Sequence, residues 1–193
     1  MVPEAAAMTT PGEDAELMRR VQTGDEAALG ALMQRWELSV KAVIGRIVLN
    51  ASEAEELAQE TFVRVWQQRG RYRPDAPFRP WVFAIAVNLA RNRLRWWKRR
   101  PVVALEEWTE APADDGAVGE GGTRGLERVE RAQAVRDAIA GLPTDLREAI
   151  VLFEYDQMSY AEIAETIGAS SKAVENRIAR ARERLRTALR SWT

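Results

Sequence analysis

The chain contains no cysteine and no histidine. Disulfides are therefore excluded, and the usual zinc sites lose both of their principal ligand types. Histidine acid–base catalysis and cysteine nucleophiles are excluded with them. The lack of cysteine fits a reducing cytoplasm, where such proteins commonly work. No run of 18 apolar residues occurs, so no segment is read as a membrane span. The start, "MVPEAAAMTTPGED", lacks the basic stretch and long apolar run of a secretory signal. There is no GxxxxGK[ST] motif and no acidic cluster with metal-ligand spacing, which argues against an ATP-driven motor or a nuclease. The period-two alternation of a half-buried strand is missing as well.

Net charge is also nearly absent. The 193 residues carry 28 basic and 29 acidic side chains, a net charge of -1. That balance conceals blocks of opposite sign. Residues 91–100 hold six bases and no acid; residues 101–130 hold eight acids and two arginines. Residues 172–190 hold seven bases against two acids. A basic block on one face is the electrostatic footprint of nucleic-acid binding, whatever the total charge.

What remains is helical periodicity. Leu17 and Val21, then Leu29, Leu32, Met33 and Trp36, recur at helical spacing, with a break at "TGDE" (Thr23–Glu26). Ser52 followed by Glu55 predicts a capping box. Behind it Leu57, Ala58, Thr61, Phe62, Val65 and Trp66 form one apolar stripe. "QRGRYRPDAPFRP" (Gln68–Pro80) reads as a loop, because its three prolines disfavour helix. Pro80 suits the first turn of the next helix, which carries Trp81, Ile85 and Leu89 into "RNRLRWWKRR".

Residues 101–125 are rich in Gly, Pro, Asp and Glu, and read as a flexible acidic linker in which Trp108 stands out. Helical spacing resumes with Val129, Ala132, Val135, Ile139 and Leu142, breaks at "LPTD", and continues in "LREAIVLFEY". Ser159 and Glu162 predict a second capping box, and Gly168 suits the left-handed position that ends a helix. Ser170 or Ser171 can cap the last helix, whose inward residues are Val174, Ile178, Ala181, Leu185 and Leu189. The expected fold is all-α: two small helical domains at residues 14–100 and 126–193, a linker between them, and a tail at 1–13.

"YAEIAETIGASSKAVENRIARARERL" (Tyr160–Leu185) is a helix-turn-helix pattern. Such a motif places its second helix in the major groove, its early residues at the base edges. Ser171, Lys172, Glu175, Asn176 and Arg180 lie outside the apolar stripe, and Lys, Asn and Glu each match a base-edge pattern. Arg177, Arg182, Arg184 and Arg186 suit phosphates, which position the duplex without reading it. The same charges also fit an ordinary solvated or protein-binding helix. In the first domain, Tyr72 and Phe78 beside Arg71, Arg73 and Arg79 resemble a pocket for an unstacked base, and Trp96 and Trp97 among bases resemble a stacking surface. Alternatively, those tryptophans complete a core.

One duplex-reading domain linked to one strand-capturing domain implies engagement of two DNA sites at once. Here "EELAQETFVRVWQ" (Glu55–Gln67), "FRPWVFAIAVNLARNRLR" (Phe78–Arg95) and the segment Leu142–Arg186 occur in order. Together they make the chain resemble the small, two-domain extracytoplasmic-function group of bacterial sigma-70 factors. The resemblance implies a non-catalytic, dissociable subunit of RNA polymerase, without cofactor or metal. It implies core-polymerase binding through Glu55, Glu56, Gln59, Glu60, Arg64 and Gln67. Minus-ten recognition and melting would fall to the loop residues Arg71, Tyr72, Arg73 and Phe78 and to Asn88, Arg91, Asn92, Arg95, Trp96, Trp97, Lys98, Arg99 and Arg100. Minus-thirty-five duplex would be bound by Ser170, Ser171, Lys172, Glu175, Asn176, Arg177, Arg180 and Arg184. Many such proteins are held inactive by an anti-sigma factor, often membrane-anchored; such a partner is expected, as is a cytoplasmic location, at the inner face of the membrane where the partner is anchored. Asn92 stands where an aspartate is common, Pro80 where a helix-friendly residue is usual, and "KAVENR" where many members have a more basic or serine-bearing start. A ligand-sensing helix-turn-helix regulator and a protein adaptor are the competing classes.

Overall fold

A computed structural model describes residues 11–99 and 123–190, and all regular structure among them is helical. Trp108 and Arg100, both singled out above, lie outside the described residues. Helix α1 (Pro11–Gln22) begins three residues before the expected Asp14, with proline at its first position, where the missing N–H costs nothing. Asp14 is 5% exposed and joins α1 to the next helix by accepting hydrogen bonds from Arg35 and from the Trp36 indole. The chain turns at Thr23–Gly24, where Gly24 has φ +94°, and Asp25 caps α2 (Glu26–Val48) by accepting the Ala28 N–H. Helix α2 is the spine of the first domain: Leu32, Val40, Val43, Ile44 and Ile47 are fully buried along it.

Helix α3 (Ala51–Gln67) starts two residues earlier than the Ser52–Glu55 spacing indicates. Asn50 is the cap, and its side chain accepts the Glu53 N–H. The reason is the left-handed Leu49 (φ 62°) that ends α2 and leaves Asn50 extended just ahead of Ala51, the geometry an N-cap requires. Ala54, Leu57, Ala58, Thr61, Phe62 and Val65 form the buried face, as the stripe predicts. A short 3-10 turn (Arg69–Arg71) leads through the proline loop to α4 (Phe78–Arg99), with Pro80 buried in its first turn.

The second half contains α5 (Thr123–Ala140), α6 (Thr144–Glu154), α7 (Tyr160–Ile167) and α8 (Ser171–Ala188). The Ser159–Glu162 capping box forms, Gly168 takes φ +66°, and Ser170 caps α8 by accepting the Ala173 N–H. Val174, Ile178 and Ala181 turn inward from α8 onto α6 and α7.

The two halves also pack on each other, α4 against α7 and α2 against α6, so one buried cluster runs through both. Helix α6 registers this directly. Leu146, Arg147, Glu148, Ala149, Ile150, Val151 and Leu152 are consecutive and all buried. A helix buried all round has neighbours on every side; here they are its own domain and the first one.

Candidate nucleic-acid and polymerase interfaces

The α8 surface follows directly from its capped start. Ser170 closes the first turn, Gly168 sets the angle from α7, and the inward stripe fixes the rotation of the helix. Ser171, Lys172, Glu175, Asn176, Arg180 and Arg184 are all exposed. Arg177 is only 29% exposed and lies 3.9 Å from Asp145 of α6. Lys172 donates to Glu175 at 2.8 Å, so these two candidate base-reading groups neutralise each other in this structure. Arg182 is bound elsewhere, to Glu154 at 2.8 Å and over the Phe153 ring.

On α3, Glu55, Glu56, Gln59, Arg64 and Gln67 are exposed opposite the buried stripe, and Glu60 is partly exposed. Arg64 donates to Glu60 at 2.6 Å, and Lys41 of α2 pairs with Glu55. Arg93 of α4 pairs with Glu53 and approaches Glu56 at 3.8 Å. A groove of about 1590 Å³ runs between this face, the basic end of α4 and the start of α6.

The expected base pocket in the proline loop is not available. Tyr72 and Phe78 are each 3% exposed. Their rings pack with Trp36 and Trp81, with centroids 5.2–6.1 Å apart. Gln22 holds the loop inward by donating to the carbonyls of Arg69 and Tyr72, and the Tyr72 hydroxyl donates to the Ala76 carbonyl. Burial pushes the Tyr72 phenol up to about 12. The physical reason is area: large aromatic rings gain more from a shared core than from a solvent-facing platform. Arg71 and Arg73 remain exposed at the loop surface.

Along α4, Asn88, Asn92, Arg95, Lys98 and Arg99 are exposed, and Asn92 accepts from Arg95. Trp96 is 38% exposed, whereas Trp97 packs against the core. The two tryptophans thus divide between the two readings. Arg91 is in neither open position nor core. Its Nε donates to Glu148 of α6 at 2.8 Å, its Nη2 to the same carboxylate at 2.6 Å, and its Nη1 to the Ile167 carbonyl at 3.3 Å. The Glu148 hydrogen bonds raise the Arg91 guanidinium above the ordinary arginine value.

Arg147, Glu148 and Asp156 were not identified from sequence. The available signal was the placement of Arg147 and Glu148 inside the otherwise apolar run "LREAIVLF". Arg147 donates to Ala140 and Leu142 at the end of α5 and, at 2.8 Å, to the Ile47 carbonyl at the end of α2. These carbonyls lie at or just past helix ends, where the last turn leaves C=O groups without intrahelical donors, and a cation there also meets the negative ends of both helices. Burial lowers the Arg147 guanidinium from its ordinary value. Burial likewise pushes the Asp156 carboxyl up to about 7, against the pull of Arg79 and Arg46 from the first domain. Among the described residues no group of three or more metal-binding side chains converges.

Two helices that end in basic residues, one of them the second helix of a capped helix-turn-helix, thus sit on an all-α scaffold. Residues 32–100 match the family model for sigma-70 region 2, and residues 132–185 match that for sigma-70 region 4. The RNA polymerase sigma-H factor of Pseudomonas aeruginosa is 35% identical over 191 residues, covering 94% of this chain and 96% of that protein. The ECF RNA polymerase sigma-E factor of Escherichia coli (strain K12) is 35% identical over 174 residues, covering 88% of this chain and 91% of that protein. Among solved structures, CnrH in complex with the cytosolic domain of CnrY matches with a TM-score of 0.70 and 28% identity, covering 94% of this chain and 99% of CnrH. The chain belongs to the sigma-70 family, in its extracytoplasmic-function group. Its function is that of a transcription initiation factor that directs RNA polymerase to promoters.

Proposed function

We propose that the outer face of α3 binds core polymerase, that α4 engages the minus-ten element, and that α8 reads the minus-thirty-five duplex. The observation that carries this reading is the division of α8. Val174, Ile178 and Ala181 are buried, while Lys172, Glu175, Asn176, Arg180 and Arg184 are exposed on the opposite side of a serine-capped helix. That is the arrangement a recognition helix needs. The exposed Glu55, Glu56, Gln59, Arg64 and Gln67 support α3 as the polymerase surface, and the exposed Asn88, Asn92, Arg95, Trp96, Lys98 and Arg99 support α4 as the strand-binding surface.

The subunit supplies recognition and leaves phosphodiester chemistry to the polymerase. It works in the cytoplasm; no described helix is long and apolar enough to cross a membrane. CnrH was solved with the cytosolic domain of CnrY, which supports an anti-sigma partner for this chain, at the membrane if that partner is anchored there.

In vitro transcription with core polymerase on a genomic promoter library tests the assignment. Promoter-specific starts that require this chain are expected, and Lys172→Ala and Asn176→Ala should redistribute them among promoters. Starts that do not depend on the chain would overturn the reading. A redistribution by neither substitution would remove α8 from base reading.

A further inference from the structure

The strongest residual feature is the contact between the two halves, because it engages Arg91, one of the residues assigned above to DNA. Three observations bear on it. First, the Arg91–Glu148 pair is bidentate, and Glu148 is only 1% exposed. A carboxylate presents the same two-oxygen fork to a guanidinium as a phosphate does. Arg91 therefore satisfies its donors on the protein's own acid or on DNA, but not on both.

Second, further polar ties cross the contact beside its buried apolar cluster. Arg147 donates to the Ile47 carbonyl; the Thr166 hydroxyl shares its one proton between the Glu162 carbonyl of its own helix at 2.8 Å and the Pro80 carbonyl at 3.4 Å; and the Arg46 guanidinium lies 4.0 Å over the Tyr155 ring. Water, phosphate or a protein partner can replace each of these polar ties, while the apolar part of the contact is given up only when the halves separate.

Third, the closed shape is too short for the task. A compact chain of this length has a radius of gyration of ~16 Å, hence a diameter of roughly 40 Å. Elements centred at minus ten and minus thirty-five are ~25 base pairs apart, or ~85 Å of duplex at ~3.4 Å per pair. The α4 and α8 faces cannot meet both elements until the halves separate.

We infer that Glu148 is a latch residue: it holds Arg91 in cis, keeps the protein closed, and is displaced when the halves separate on core polymerase. The inference rests on the promoter-binding reading of α4 and α8. In the closed state α8 keeps its open face, while α4 lacks one of its cations.

The absence of cysteine allows clean spin labelling of the full chain at Leu38→Cys and Thr187→Cys, both exposed and one in each half. Distances are measured for the free protein and for the holoenzyme. The wild-type chain should give one short population when free and a long one with core polymerase. Glu148→Gln should move the free closed-to-open ratio by roughly tenfold or more towards open, as removal of one buried charged pair implies. Thr166→Val should move it the same way by a smaller factor. It carries the test alone if Glu148→Gln loses helicity. A free wild-type chain that is already long, or variants that leave the ratio unchanged, would overturn the latch. Because the readout is a distance, a latch that fails leaves promoter-specific transcription intact. A failed promoter reading shows instead as absent transcription, whatever the distances.

Discussion

Helices α4 and α8 both end in dense positive charge, yet they hold that charge differently. On α8 the exposed Lys172 pairs with Glu175 on the same helix, and Arg177 and Arg182 pair with Asp145 and Glu154 of α6, in the same half. On α4 the charge is partly used: Arg91 is bound to Glu148 of the other half, and Arg93 to Glu53 of α3. Local pairs between exposed groups contribute little and separate easily. A buried bidentate pair is costly to break from one side, because the remaining charge is stranded. On the proposed reading, the contrast separates a surface ready for duplex from one that needs a conformational change first.

The comparison can be broken most forcefully by attacking what orients α8. Ile178→Ala should cost about 2–5 kcal/mol of stability in thermal or denaturant unfolding, because a fully buried side chain leaves a cavity. Arg180→Ala, two residues on and exposed, should change stability by no more than about 0.5 kcal/mol. Equal losses would mean that α8 is rotated relative to the structure.

Next in size is base reading. Lys172→Ala and Asn176→Ala should each remove about 1–3 kcal/mol of discrimination at one or two promoter positions. Arg184→Ala should instead weaken all sequences alike and reduce the salt slope by about one unit. A panel of single-base duplex variants at several salt concentrations distinguishes these outcomes. On α3, reversing both Glu56 and Glu60 to lysine should weaken core-polymerase affinity by roughly tenfold or more, with duplex binding by α8 unchanged. Unaltered core affinity in a folded double variant would remove that face from the polymerase interface.

A smaller effect concerns pH. Asp156 has its carboxyl raised to about 7 in the closed protein, from an ordinary value of 3.8, chiefly by burial. Its neighbouring cations are Arg79 and Arg46, both from the first domain, so separation exposes it. The closed state thus holds the proton better. Its contribution to closure is full below the ordinary value and is lost as pH rises through about 7. Label distances should show a more open population at pH 8 than at pH 6, and Asp156→Asn should flatten that dependence. An unchanged slope in the variant would assign the effect to another group.

Much of the fold was legible because its signals are local. The Ser159–Glu162 box, the left-handed Gly168, the Ser170 cap and the α3 stripe each depend on residues within one or two turns. The misplaced cap at Ser52 shows how far locality reaches: Ser52 and Glu55 have the spacing of a capping box but lie inside α3, because the left-handed Leu49 makes Asn50 the cap. Tyr72 and Phe78 were misread for a different reason. Adjacent arginines made the loop look solvent-facing, whereas the rings of Trp36 on α2 and Trp81 one turn into α4 draw both aromatics inward. The latch was illegible because its partners are 57 residues apart. Only the charged pair Arg147–Glu148 inside an apolar run marked a helix with neighbours on both sides.

The asymmetry between the two helices is tested most directly by binding the free, full-length chain to two probes at one salt concentration. One is the minus-thirty-five duplex of a promoter recovered by transcription; the other is the single-stranded minus-ten segment of the same promoter. Wild type and Glu148→Gln should bind the duplex equally, while Glu148→Gln binds the single strand roughly tenfold tighter than wild type. Equal single-strand affinity for the two proteins, both folded, would contradict the account.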